Sequence, residues 1–599
     1  MPPFHQVYDP VGGSILLSAL VAATPLVVLA LLLAVFRVAP WRSAIAGAAA
    51  AFVLAWLAWG MPLRLALAAA AHGMAFGLWP ISWVVLSAVF FYNLSVESGD
   101  FDVIRRTLAR LTSDRRIQVL LVAFCFGALI EGIAGFGAPV AITAAMLAGL
   151  GFEPVTAAVL SLVANTAPVA FGSLGIPVVT LGGLVAPIIG RDAQGTTLAL
   201  SAMVGRQLPF FSVVIPAYLV VLLAGWRGML RVWPAVLTAG VTFAAVQFVV
   251  ANVVGPELTD TLASLTSLAA VASLLRVWQP SDGPARSEPG SHDAGPTDGP
   301  GRVTRAFLTY AILVVVVLVG QIGNFAGLRQ MKPPANLTAL LRCGQAGNAL
   351  CTEPWFTIPV PGTEGGIRFP VWDVTWPGSF AVEDGQRVPL VRREPPVVDR
   401  SSPYPLTFRL DFLATSGTLV LLAAVIAFLP MLARGVPVRA FGVAAGKTLA
   451  QLRLPIVTIA FILSIATVMN YSGMTSSMAL ALAATGWLFP FFSAFLGMLG
   501  VFLTGSDTSS NTLFGPLQAT TAQVSGLDPI LTAATNSSGG VMGKMISPQN
   551  LSVGAAGVGA VGSEGLIFRR VISHSPVLTA LMGLLAMLQA YVFTWMLVK

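Results

Sequence analysis

The sequence predicts an all-α polytopic membrane fold made of two inverted-topology repeats, each broken within its apolar region. Three observations predict it. Of 599 residues, 56% are hydrophobic and 10% charged, against roughly 25% charged in a soluble domain. Apolar runs at 15–35, 232–254, 306–325 and 413–432 are long enough to cross a hydrocarbon core, which takes about 20 residues. One short pattern also occurs twice. Gly151, Phe152, Glu153 and Pro154 precede Asn165, Thr166, Gly172 and Pro177. Gly526, Leu527, Asp528 and Pro529 precede Asn536, Ser537, Gly543 and Pro548. The Asn-to-Gly-to-Pro spacing is the same in both copies, and Gly127 and Gly135 upstream match Gly497 and Gly505.

The elements follow in order. Residues 1–13 carry no Lys or Arg, so no cleaved signal peptide is read and the first apolar run stays as a helix. About 12 spans plus shorter broken segments are expected from the apolar stretches. Arg-rich loops read as cytoplasmic: those around Arg37 and Arg42, the segment 100–116, Arg227 with Arg231, 276–305 and 434–453. The segment 255–260 carries only Glu257 and Asp260 among ionisable residues and reads as outside. These sides alternate consistently if the N-terminus is outside.

The first repeat is placed at 1–231 and two connecting helices at 232–279. A disordered cytoplasmic linker, rich in Gly, Pro, Ser and Asp, follows at 280–302. The second repeat covers 303–599, with 326–405 an extracytoplasmic insertion holding short strands. The first repeat starts outside and the second inside, so the two are inverted. The net charge of +8 reflects cytoplasmic Arg and does not imply nucleic acid. Of the three Cys, Cys125 lies in an apolar run. Cys343 and Cys351 share the insertion, where a disulfide is chemically open to them.

Two zones per half are too polar for ordinary spans: 131–139 with its counterpart 504–512, and 164–177 with its counterpart 535–550. Backbone groups freed at such breaks must be buried in protein or line a wet cavity. Half-helix N-termini then offer free N–H groups and a positive dipole end, which suits a small anion. Gly135 and Gly137 taken alone are also compatible with close helix packing. Ionisable residues inside apolar segments are costly and mark function; Glu131, Arg206, Asp507 and Lys544 qualify. Arg206 sits just before a span, where a snorkelling role is equally compatible. Lys544 is placed to neutralise a substrate carboxylate or to pair with Asp507. Together these features indicate a secondary transporter of a small anion.

The chain resembles the L-lactate permease family. The resemblance rests on GFGAP at 135–139, NTAPVAFG at 165–172, VGRQLP at 204–209, VMNYSG at 468–473, GSDTSSN at 505–511 and GKMISPQN at 543–550. It runs from about residue 13 to the C-terminus and leaves out 280–302 and 326–405. It implies a bacterial inner-membrane symporter of lactate, often also glycolate, driven by protons. It further implies kinship with ion-transporter folds that use re-entrant hairpins and elevator-like movement. The lipid bilayer, the substrate and the proton are the expected partners. No cofactor or metal is expected, and a homo-oligomer is left open.

The expected binding residues are Asn165, Thr166, Asn536, Ser537, Ser506, Lys544, Arg206, Gly135, Phe136 and Gly137. Lys544 and nearby N–H groups would take the carboxylate, and Asn165, Asn536, Ser506 or Ser537 the 2-hydroxyl. Residues 135–137 would face the methyl group. Asp507 or Glu131 would carry the proton. A dicarboxylate or a sodium-coupled anion stays open, with Arg206 as a second anchor. An intramembrane enzyme is disfavoured, since His5, His72, His292 and His574 lie away from the motifs and no base–nucleophile constellation is seen. A channel would not need ionisable residues in paired breaks.

Overall fold

The computed structural model describes residues 2–36, 38–135, 137–280, 298–320, 356–358, 367–369, 372–383, 386–410, 415–560 and 562–598. Among these residues are 13 helices long and apolar enough to cross a membrane, with three shorter apolar helices, Ala138–Gly149, Pro154–Ala164 and Met474–Ala483. The chain is therefore a multi-pass helical membrane protein. Burial sorts the spans: 94% of Arg115–Ile133 and 83% of Val169–Ile189 is buried, against 28% of Ile15–Leu33 and 33% of Pro300–Gly320. The first two form the centre, and the last two turn apolar side chains outward, as a lipid-facing rim requires.

The charged ends of the spans meet on one side. Arg434 pairs with Asp100 at 2.9 Å, Arg106 with Asp298 at 2.9 Å and Lys447 with Glu97 at 2.5 Å. Three of the segments expected to be cytoplasmic on Arg content, 100–116, 276–305 and 434–453, thus meet. Most of the expected linker and the first part of the insertion, with Cys343 and Cys351, lie outside the described residues. The span after the linker starts at Pro300, six residues before the apolar run, because Pro suits the first helical turn.

The insertion is built of short strands. Trp372–Thr375 pairs antiparallel with Thr407–Leu410, and Phe380–Glu383 with Gln386–Pro389. Strand Val391–Arg393 lies between Ser402–Pro403 and the N-terminal strand Phe4–His5, the latter in parallel register. Gln6 continues the join, donating to the carbonyls of Asn470 and Tyr471. The N-terminus and the insertion therefore share one side of the molecule.

Ten helices position the centre. In the first half these are α1 (Arg115–Ile133), α2 (Ala138–Gly149), α3 (Pro154–Ala164) and α4 (Gly172–Ile189). The connecting pair is α5 (Trp233–Val253) and α6 (Thr259–Val277). In the second half they are α7 (Phe489–Thr504), α8 (Asp507–Val524), α9 (Pro529–Gly543) and α10 (Pro548–Gly557).

The doubled pattern has a doubled local structure. α1 turns into α2 through Gly135 (φ +56°) and Gly137 (φ +81°); α7 turns into α8 through Gly505 (φ +73°). α3 and α9 each begin with a carboxylate cap followed by Pro. Glu153 accepts from the Val155 and Thr156 amides, and Asp528 from those of Ile530 and Leu531. Each cap satisfies donors that the helix cannot, which contributes about 1 kcal/mol. α7 and α9 touch backbone to backbone: a Cβ on Gly497 would stand 1.9 Å from the Asn536 carbonyl oxygen. Small residues allow such approach in a membrane, where packing drives association.

Candidate transport site at the paired helix breaks

α3 ends at Asn165, and the chain passes through a short 3-10 turn, Val169–Phe171, into α4. There Ser173 (φ +47°), Leu174 (φ +58°) and Gly175 (φ +74°) adopt left-handed backbone. That conformation costs a residue with a Cβ roughly 1–2 kcal/mol, so the surroundings must hold it. Gly175 is pressed on Pro256, whose carbonyl carbon lies 2.6 Å from where a Cβ would be, and Ser173 Oγ donates to the Ala134 carbonyl at 3.0 Å. The second break is the 3-10 turn Lys544–Ile546 between α9 and α10. Ser173 and Lys544 are equivalent in the repeat, and they face the same cavity.

That cavity is lined by residues of both breaks and of the α7–α8 turn. Lys544 Nζ donates to Glu131 Oε1 at 2.7 Å, with the two side chains 5% and 4% exposed. Glu131 Oε2 accepts from Asn165 Nδ2 at 2.9 Å. Lys544 pairs with Glu131 and not with Asp507, the alternative left open by the sequence. Gly172 lets the pair form, because a Cβ there would stand 2.6 Å from Glu131 Oε1. Asp507, at the first turn of α8, accepts from Ser537 Oγ at 2.6 Å and from Asn511 Nδ2 at 3.3 Å. Its other oxygen is buried without a hydrogen bond among the described residues.

Ser506 caps α8 and lines the cavity with Asp507, Thr508 and Gln549. The other expected residues lie elsewhere. Asn536 sits behind the wall, bonded to Gln518 (2.6 Å) and Asn511 (2.9 Å). Thr166 donates to its own helix at the Val163 carbonyl. Gly135 and Gly137 shape the α1–α2 turn and do not line the cavity; Phe136 lies outside the described residues. Arg206 is not among the residues lining the cavity. Its guanidinium is taken by Asn252 Oδ1 at 3.0 Å and by the Met596 and Leu597 carbonyls at 2.7 and 2.9 Å. These contacts hold Arg206 at the span end, as the snorkelling reading of an Arg in that position describes.

Sequence reasoning did not name Asn511, Gln518, Gln549 or Asp260 as site residues. Asn511 and Gln549 lie within the polar zones 504–512 and 535–550 already marked, and Gln518 lies further along the polar α8. Asp260 and Glu257, read as charges of an outer loop, are both buried. Asp260 lies in the first turn of α6, with Gly132 of α1 against it. Its neighbours Gly255 and Pro256 gave a turn signal that hid a buried carboxylate.

The family model described as L-lactate permease matches residues 18–340 and 373–593. The chain is 42% identical to glycolate permease GlcA of Escherichia coli K12, covering 100% of both chains. It is 41% identical to the L-lactate permease of the same strain and 40% to that of Bacillus subtilis 168, with 99% of each chain covered in both cases. A solved structure of the Alcanivorax borkumensis YdaH transporter aligns with 88% of this chain and 89% of its own at 15% identity, with a TM-score of 0.41, a likeness too loose to define the fold. Near-complete coverage at this identity settles the matter: the chain belongs to the L-lactate permease family and is a permease rather than an enzyme.

Proposed function

We propose that this permease imports L-lactate, and also glycolate and related 2-hydroxymonocarboxylates, by proton symport across the bacterial inner membrane. The observation that carries the reading is the buried Lys544–Glu131 pair on the cavity wall. Lys544 is the one cation lining the cavity among the described residues. One cation suits one carboxylate, which favours a monocarboxylate over a dicarboxylate. Ser173, Ser506, Thr508 and Gln549 offer partners for the 2-hydroxyl, and Val169 and Pro177 offer apolar surface for a methyl group. Of the four expected 2-hydroxyl partners, Asn165, Asn536, Ser506 and Ser537, Ser506 is the one that lines the cavity.

Coupling follows from charge. The substrate carboxylate competes with Glu131 for Lys544. Once the anion holds Lys544, an ionised Glu131 would be buried without a counter-charge, which costs several kcal/mol. Taking up a proton removes that cost, so anion and proton bind together. Asp507, across the cavity, is the second carboxylate able to hold the proton.

The two repeats are inverted in this account. The turn at Gly151 lies by Arg115 and Arg570, since Arg115 stacks on Phe152 and Arg570 pairs with Glu153. The turn at Gly526 follows Thr520, which shares a cavity with Gln6, Arg393 and Tyr404 of the N-terminal and insertion side. Opposite sides for matching turns support the inversion. We take the Arg side as cytoplasmic, which puts the N-terminus and insertion outside. Movement of the hairpins and broken helices as one body would open the site to each side in turn, as in ion-transporter folds.

Counterflow in proteoliposomes loaded with L-lactate tests the specificity. External L-lactate and glycolate should drive exchange and succinate should not; exchange driven by succinate alone would overturn the reading.

A further inference from the structure

Asp260 is fully buried, and among the described residues its carboxylate makes no hydrogen bond of normal geometry, the Gln247 side-chain amide being near enough for a weak one. A carboxylate so placed is costly to leave ionised, and inside a membrane such residues mark functional routes. Its surroundings connect it to the transport site. A Cβ on Gly132, the residue after Glu131, would stand 3.0 Å from Asp260 Cβ and 3.1 Å from the Thr261 amide nitrogen. Asp260 thus abuts the turn of α1 that carries Glu131. Pro256, four residues before it, supports the left-handed break at Gly175.

The groups facing Asp260 are few. Glu131 and Lys544 are its charged neighbours, and the Gln247 amide of α5 lies close by. Cys125 of α1 meets α6 further along, at Ser267. Neither α4 nor α5 brings an ionisable residue to α6. Glu257, buried in the preceding loop and accepting from Ser416, is the next carboxyl toward the end of α6.

We propose that Asp260 is a proton-holding member of the transport site, keeping a proton while Glu131 is paired with Lys544 and passing it to Glu131 when the substrate anion takes Lys544. The O–H bond at Asp260 breaks as one at Glu131 forms, and the negative charge moves from Glu131 to Asp260. A proton from the outer aqueous side then reloads Asp260, and Glu131 releases its own proton to the inside when the anion leaves and Lys544 pairs with it again, so one proton enters with each anion. This rests on the reading that Lys544 receives the substrate carboxylate.

The test uses full-length protein in proteoliposomes with L-lactate as probe, comparing Asp260→Asn and Asp260→Glu with the unmodified chain. Accumulation driven by a pH gradient and lactate–lactate exchange at equal pH are measured over a pH series. In Asp260→Asn, accumulation should fall by about tenfold more than exchange does, the scale of one site's coupling, and the pH profile of exchange should flatten. Asp260→Glu should restore both. Accumulation in Asp260→Asn with the unmodified pH profile overturns the proposal. So does parallel loss of accumulation and exchange in both variants, which assigns Asp260 to packing. Failure of the unmodified chain to respond to a pH gradient would instead overturn the proton-symport reading.

Discussion

Removing Lys544 separates its two roles. The Lys544 and Glu131 side chains are 5% and 4% exposed and 2.7 Å apart. Lys544→Ala leaves Glu131 buried with no cation on the cavity wall, which costs about 3–5 kcal/mol when one partner of a buried pair is lost. It also removes a charged hydrogen bond to the substrate, about 1.5–3 kcal/mol, or roughly a 10- to 100-fold weaker half-saturation for lactate. The two effects come apart in the double variant Glu131→Gln with Lys544→Ala. There the orphaned charge is gone, so most of the lost stability returns, while substrate binding stays weak. The assay is thermal unfolding of purified protein in detergent beside counterflow kinetics in proteoliposomes. The reasoning fails if Lys544→Ala binds lactate as the unmodified chain does, or if the double variant is no more stable than Lys544→Ala.

Other outcomes follow from single contacts. Asp507→Asn keeps the size of a group bonded to Ser537 and Asn511 but removes its charge. Accumulation driven by a pH gradient should fall more than exchange, and unchanged proton-driven uptake would remove Asp507 from coupling. Gly135→Ala would put a Cβ 2.1 Å from Ser173 Oγ at φ +56°. The left-handed backbone alone costs roughly 1–2 kcal/mol, so uptake should drop and Ser173→Gly in the same chain should restore only part of it. Burial pushes the Glu257 carboxyl, in the loop between α5 and α6, up to about 7 from 4.5. An acid raised in this way gives stability that is full below the lower value and lost as pH rises through the higher one. The unfolding temperature should therefore fall between pH 5 and pH 8, and fall less in Glu257→Gln; equal slopes in both proteins would exclude Glu257 as the source.

The doubled Asn, Gly and Pro spacing was legible because each residue answers a local demand. Gly135 and Gly505 supply positive φ, and Glu153 and Asp528 cap helices that begin with Pro. Lys544 and Glu131 were legible as costly charges in apolar sequence, but not as partners, since 413 positions separate them and no local period connects such residues. The same limit hid the parallel pairing of Phe4–His5 with the insertion. Asp260 was lost for a different reason. Gly255 and Pro256 give a true turn signal, and sequence carries no mark of whether a turn meets water or the underside of a broken helix. The two Asn copies differ in contacts that spacing does not reveal: Asn165 holds Glu131, while Asn536 holds Gln518 and Asn511. Two charged residues of the cavity wall stand where the copies differ, Lys544 against Ser173 and Asp507 against Gly137.

Uptake of L-lactate into proteoliposomes under an imposed pH gradient, with and without a sodium gradient, tests the central claim most directly. Proton-coupled entry through the Glu131–Lys544 site predicts accumulation with the pH gradient alone, acidic side outward, and no further gain from sodium. Accumulation that requires the sodium gradient and ignores the pH gradient would contradict it.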